Sequence, residues 1–303
     1  MTKRALVLGG GGPVGVAWEF GLIAGLEQEG VRLADAGLII GTSAGSIVGA
    51  SVAAGRPAAE LLATQHEIAD APPPRGTSDG AFDLAPLMQQ FIKLYTSDAS
   101  PQQLRAEIGA FALEPKVAMT EDEWLATFTQ SQTFAQDQWP ERPYMCTAVD
   151  ANSGEFVTWD RTSGVPMSRA IASSCCVPGI FPPITINGRR YIDGGMKSAT
   201  NADLAAGYDR VVVVSVTSGM ERMSAFPALA ERAKKRMEDE LGAITSRGGQ
   251  VELVAPDEES RAAMGTNLMD FKRRGEIADA GLRQGRVEAT RLRGFWGESP
   301  LAE

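Results

Sequence analysis

Three short stretches of the 303-residue chain carry groups that could do chemistry. In Gly41-Thr42-Ser43-Ala44-Gly45 a serine has glycine two positions away on either side, directly after the apolar Leu38-Ile39-Ile40. Between a strand and a helix such a turn is tight enough to require glycine at both places, and it lifts the hydroxyl above the sheet. In Gly9-Gly10-Gly11-Gly12-Pro13-Val14-Gly15 the backbone can turn sharply and offer several N–H groups where a helix begins. That is a site for negative charge, either a phosphate or an oxyanion. Pro13 has no N–H, so the donors must be the glycines before it. Tyr191-Ile192-Asp193-Gly194-Gly195 sets a carboxylate beside two glycines that allow close backbone approach. Each has a plain reading as well: Ser43 as a helix cap, Asp193 as the first residue of a turn.

A serine hydroxyl is a poor nucleophile until a base takes its proton. His66 is the only histidine, which excludes two-histidine zinc sites and leaves a triad one candidate. It sits between Gln65 and Glu67 in a polar helical stretch well beyond the serine turn. In α/β-hydrolases the histidine comes last of the three, and here none follows position 66. Either the serine is inert or its base is not histidine. A carboxylate can serve if burial raises its pKa toward the working pH, and Asp193 is the leading candidate. Gly10, Gly12 and Gly15 also satisfy the GxGxxG of dinucleotide-binding folds. The ribose-holding acid would be Asp35, which precedes the apolar strand Leu38–Ile40 instead of ending one.

Elements must position these groups. Residues 4–8 read as a buried strand, Pro13–Glu29 as a helix capped by Gly30, Leu38–Ile40 as a second strand, and Ala44–Ala54 as a second helix. This β-α-β-α opening predicts a parallel sheet covered on both faces. A loop opens at Pro72-Pro73-Pro74, and helical patterns follow at Leu84–Tyr95, Gln102–Phe111 and Glu121–Thr129. Residues 56–140 therefore read as a helical insertion over the sheet's edge, either a cap or plain scaffold. Tyr144–Val149 and Glu155–Trp159 form a hairpin. Val211–Val216 and Gln250–Val254 are further strands, and Leu268–Leu292 is a helical tail.

The formal charge of −9 argues against a nucleic-acid partner. The arginine-rich tail reads as a solvated face and leaves peripheral contact with a lipid surface open. Ala36–Gly55 is uncharged, but its Gly, Ala and Ser content suits a buried strand-turn-helix better than a membrane span. The first apolar run is too short for a signal peptide. Three cysteines without a CxxC pair suit a reduced, cytoplasmic chain with Cys146, Cys175 and Cys176 as buried structural thiols.

Together the three stretches resemble the patatin-like phospholipases, whose marks are a GGGxxG loop, a GxSxG elbow and a late DGG or DGA. Here these stand in that order at Gly10–Gly15, Gly41–Gly45 and Asp193–Gly195. Gly21–Leu26 looks like the family's first helix, and Ala172–Pro183 like the stretch before its DG motif. The resemblance covers residues 4–56 and about 144–217. It implies a three-layer α/β/α sandwich with a mostly parallel central sheet, a variant of the α/β-hydrolase theme. That fold would be a single domain over 1–303 with a C-terminal helical extension at 220–303. It implies hydrolysis of lipid carboxylic esters by a Ser43–Asp193 dyad, with Gly10, Gly11 and Gly12 as the oxyanion hole and no metal or cofactor. Gly15, Gly41, Gly45, Gly194 and Gly195 support the motifs. Family members often carry Arg or Lys before the loop's last glycine; this sequence has Val14. A non-catalytic lipid-binding protein is the alternative.

Overall fold

The computed structural model describes residues 2–70, 82–95, 99–114, 117–129, 137–219 and 227–297. The Pro72–Pro74 loop lies outside them. The strands are β1 (Arg4–Leu8), β2 (Leu38–Gly41), β3 (Tyr144–Asp150), β4 (Phe156–Asp160), β5 (Ile184–Ile186), β6 (Arg189–Asp193), β7 (Arg210–Val214) and β8 (Gln250–Val254). The helices are α1 (Gly12–Gln28), α2 (Ala44–Ala53), α3 (Ala58–Ala69), α4 (Ala85–Tyr95), α5 (Pro101–Ala112), α6 (Glu121–Thr129), α7 (Met167–Ser174), α8 (Pro227–Thr245), α9 (Glu258–Met264) and α10 (Arg274–Trp296).

The strands form one mixed sheet in the order β5-β6-β3-β2-β1-β7-β8, with β4 also paired to β3. Five neighbours, β3-β2-β1-β7-β8, run parallel; β4, β5 and β6 add an antiparallel end. Alternate side chains of the parallel strands enter opposite cores, as the two-residue period requires. Leu6, Leu8, Ile39, Val212 and Val214 share a core with residues of α1, α2, α7 and α10. Ala5, Val7, Leu38, Ile40, Val211 and Val213 share the other with Ile244 of α8 and a short turn at Ala202–Ala205. Burial on both faces is why β1 and β7 read as unbroken apolar runs.

α1 is buried on nearly every side because α10 lies directly on it. A Cβ at Gly21 would stand 2.0 Å from the Ala278 carbonyl oxygen, and one at Gly25 would stand 2.2 Å from that of Leu282. Gly281 and Gly285 meet Trp18 and Leu22 in the same way. Four glycines thus bring two helix backbones into contact. The tail arginines tie α10 to its neighbours, and Arg286 reaches α1. Arg283 bonds Asp257 and Glu259, Arg286 bonds Gln28, and Arg291 bonds Glu252 and Glu288. Arg274, nearly buried, bonds Gln65 of α3. Lys272, Arg286, Arg291 and Arg293 stay exposed, as a solvated face requires, and only Arg274 is buried. Of the inserted helices, α5 packs on the β3–β4 turn, where Gly109 meets Ala151, and α6 packs on α7 through the Trp124 indole. No helix among the described residues is long and apolar enough to cross a membrane.

Candidate active site

The site lies where two strands meet along one edge of β3. β2 runs parallel to β3 and ends with Gly41 opposite Cys146. β6 runs antiparallel and ends with Asp193 opposite Ala148. Since β4 covers the other edge of both Cys146 and Ala148, β2 and β6 share one edge and point at each other across Thr147. Residues that follow β2 and residues that end β6 must therefore converge, although 150 positions separate Ser43 from Asp193.

Ser43 stands at φ 51° and ψ −117°, a left-sided conformation that a non-glycine residue holds only under constraint. The constraint is backbone packing. Thr42 N–H donates to the Leu8 carbonyl at 3.0 Å, and Gly45 N–H to that of Gly9 at 2.9 Å. A Cβ at Gly41 would lie 2.4 Å from the Gly45 carbonyl oxygen, and one at Gly45 would lie 2.1 Å from that of Leu8. Both glycines of the elbow are thus sterically required. Ser43 N–H donates to Ser174 Oγ at 3.0 Å, and its carbonyl accepts from Ser46 Oγ at 2.6 Å and Cys175 Sγ at 3.3 Å.

Asp193 is 3% exposed, and its carboxylate accepts a hydrogen bond from the Gly195 N–H at 2.7 Å. Burial pushes its pKa up to about 7, against the downward pull of the nearby Ser43 hydroxyl and of the Gly195 N–H. Its own N–H donates to the Cys176 carbonyl at 3.1 Å. The two following glycines have separate reasons. A Cβ at Gly194 would stand 2.1 Å from Thr147 Oγ1, and one at Gly195 would stand 2.9 Å from the Asp193 carboxylate itself.

The glycine loop follows β1 beside Ser43; a Cβ at Gly10 would lie 3.2 Å from the Ser43 Cβ. Gly10 N–H donates to the Ala199 carbonyl at 2.7 Å, so that amide already has an acceptor. Gly11 is the N-cap of α1, and a Cβ there would strike Val216. Gly12 has φ +59°, and a Cβ there would meet the Leu268 carbonyl oxygen at 2.4 Å. No acceptor for the Gly11 or Gly12 N–H is present among the described residues. Val14, at the position often basic in the resembled family, is fully buried, and Gly15 packs against Val216 and Ala44.

His66 lies elsewhere. It is half exposed on α3, with its ring 3.1 Å from Asp279 of α10. Asp35 sits before β2, at the end of the parallel strands opposite the glycine loop, so no acid marks the end of β2 where a ribose would bind. The three cysteines are buried and free. Burial pushes the Cys175 and Cys176 thiols up, and the Asp193 carboxylate adds to this. Among the described residues no group of His, Cys, Asp and Glu is arranged to hold a metal.

Sequence reasoning missed a buried polar cluster between the Ser43 elbow and the turn after Asp193. Asn201 Nδ2 donates to Thr42 Oγ1 at 3.0 Å and to the Ser198 carbonyl at 2.9 Å, and lies 3.4 Å from the Gly194 carbonyl. Thr42 and Thr147 hydroxyls share a hydrogen bond of 2.9 Å. Ser174, which holds the Ser43 backbone, was also missed. Each lies next to a recognised motif in space or sequence, but none carries a spacing signature of its own.

The profile of the family described as Patatin-like phospholipase matches residues 6–206, about two thirds of the chain. No curated protein sequence matches. Among solved structures the chain is similar to VipD from Legionella pneumophila, at TM-score 0.45 and 14% identity, covering 96% of this chain and 67% of that one. It is also similar to the type III effector ExoU, at TM-score 0.40 and 14% identity, covering 96% of this chain and 53% of that one. Against full-length ExoU of Pseudomonas aeruginosa in complex with SpcU the TM-score is 0.33 at 15% identity, with 94% of this chain and 52% of that one covered. The chain thus spans about half the length of ExoU. With the elbow, the glycine loop and the DGG turn all inside the matched span, the chain belongs to the patatin-like phospholipase family.

Proposed function

We propose that this protein is a serine acyl hydrolase that cleaves carboxylic esters of lipids, phospholipid or lysophospholipid, through a Ser43–Asp193 dyad. The observation that carries the reading is the strained Ser43 elbow set beside a buried carboxylate, Asp193, whose pKa burial pushes up to about 7 and the Ser43 hydroxyl draws down. A base with a pKa near the working pH is best placed to take and return a proton.

In this mechanism Asp193 accepts the Ser43 proton as Oγ attacks the ester carbonyl carbon. The carbonyl oxygen becomes an oxyanion held by the Gly11 and Gly12 amides, each worth about 3–4 kcal/mol by analogy with measured oxyanion donors. Gly10 holds the loop in place through Ala199 instead. The C–O bond to the leaving alcohol breaks, and that oxygen takes the proton from Asp193. Water then gives a proton to Asp193 and attacks the acyl-enzyme. Breaking the Oγ–acyl bond returns the proton to Ser43 and frees the fatty acid. No cofactor enters any step.

Residues 56–140 serve as a cap in this reading. Phe82 and Trp124 from that segment share an apolar cluster with Ile180 and Phe181, which follow α7, and with Met269, beside Gly12. The test is labelling with a fluorophosphonate, which reacts only with an activated serine, beside a panel of p-nitrophenyl esters from C2 to C16 and of phospholipid and lysophospholipid. Labelling that disappears in Ser43→Ala, with preference for long chains, supports the proposal. A wild-type protein that binds lipid but takes no label is a binding protein and not a hydrolase.

A further inference from the structure

The dyad is assembled from two strand ends that do not hydrogen-bond to each other; β3 carries both. Something must fix the short span between the residue before Ser43 and the residue after Asp193. The polar cluster at Thr147 occupies that span. Asn201 is fully buried and holds the left-handed conformation, φ 53° and ψ 38°, so its backbone is committed to placing the side chain there. Its Nδ2 faces two carbonyl oxygens, Ser198 and Gly194, which can only accept. Toward them the Asn201 carboxamide acts as a donor. On the elbow side it reaches Thr42 Oγ1, and Thr147 Oγ1 lies 3.5 Å away. One carboxamide thus touches the elbow, the central strand and the DGG turn.

Asn201 is itself clamped from α8. Glu240, 5% exposed, accepts from Thr200 Oγ1 at 2.7 Å and from the Ala202 N–H at 2.9 Å. These are the residues on either side of Asn201, and Glu240 lies beyond the family-matched span.

We propose that Asn201 is a positioning residue for the dyad, bracing the Thr42–Ser43 elbow against the Asp193–Gly194 turn, and that Glu240 holds it in place. The proposal rests on the Ser43–Asp193 hydrolase reading. A loosened DGG turn moves the Asp193 carboxylate away from the Ser43 hydroxyl and the Gly195 N–H, both of which draw its pKa down. Loss of the brace therefore both slows the reaction and raises the pH at which the base becomes available.

The test uses Asn201→Gly, which removes the carboxamide while glycine keeps the left-handed backbone. Glu240→Ala and Glu240→Gln act from outside the site, and the glutamine keeps an acceptor oxygen. All are assayed on the full chain with a p-nitrophenyl ester and a fluorophosphonate, well below each melting temperature. The expected result for Asn201→Gly is a kcat lower by about 10- to 100-fold with KM held within about twofold. The acid limb of the pH profile shifts upward. Glu240→Ala moves in the same direction, and Glu240→Gln recovers most of the rate. Wild-type kcat and labelling rate in a folded Asn201→Gly or Glu240→Ala protein overturn the brace and leave the hydrolase reading standing. So does a loss that leaves the acid limb unmoved. A wild-type protein whose Ser43 takes no label overturns both.

Discussion

The N–H of Gly195 donates to the carboxylate of Asp193 at 2.7 Å, two residues back along the chain. The acid is thereby turned away from a free rotamer and toward Ser43, and part of its burial penalty is offset locally. That offset is incomplete, because the carboxyl still stands at about 7. As a base it must be ionised, so kcat/KM should climb through about pH 7 and fall about tenfold for each unit below it. A pH–rate profile on a soluble ester checks this; a profile flat between pH 5 and 8 contradicts Asp193 as the base.

The same shift has a stability consequence of definite sign. Asp193 binds its proton more tightly folded than unfolded, so its contribution is fully present below about pH 3.8 and is lost as pH rises through about 7. Above that range the buried carboxylate costs on the order of 4 kcal/mol. Asp193→Asn should be inactive yet melt above wild type at pH 8, with the gap closing toward pH 4. Scanning calorimetry at both pH values reads it directly.

Strain at the elbow predicts a second trade of activity for stability. Ser43→Gly relieves the backbone at φ 51° and should raise stability by about 1–3 kcal/mol while abolishing hydrolysis. Ser43→Ala abolishes hydrolysis without that gain, so the difference in melting temperature between the two variants isolates the backbone.

Not every glycine is equivalent. Gly45→Ala drives a Cβ into the Leu8 carbonyl, a backbone atom that cannot swing aside, and should leave little folded protein. Gly242→Ala in α8 meets nothing within 4 Å and should stabilise by about 0.5–1 kcal/mol. Denaturant titration of the pair separates a steric glycine from a merely flexible one.

His66→Ala should leave kcat within about twofold of wild type. Its partner Asp279 is exposed, and pairs of that kind contribute at most about 1 kcal/mol. A large loss of rate in a folded His66→Ala protein would restore histidine as the base.

Much of this architecture was legible in the residues. β1 and β2 announce themselves as short apolar runs ending in glycine, and α1 and α2 by small and apolar spacing closed at Gly30 and Gly55, both with positive φ. What stayed hidden depends on contacts between distant segments. α8 is highly charged and was read as part of an undivided tail, yet its Ile244 and Glu240 are buried. The β3–β4 hairpin is legible, but β5 and β6 at the same antiparallel end are not, one of them being only three residues long. The resemblance implies three oxyanion donors in the glycine loop, but Ala199 accepts from one of them, Gly10, across nearly 190 residues of chain. Asn201 looks like any loop asparagine until β3 brings Thr42 and Gly194 to either side of it.

The glycine contact between α1 and α10 sets a limit on how far this protein can be cut. A chain ended at residue 206 would keep every motif of the family-matched span but lose β7, β8 and α10. The wall of α1 that now touches Gly281 and Gly285 would be bare to water, and so would the β1 edge that β7 covers. Such a fragment should be recovered from inclusion bodies, if at all. The smallest piece that folds is therefore larger than the piece that carries the family's motifs, and the helix that begins at the glycine loop depends for its rigidity on α10.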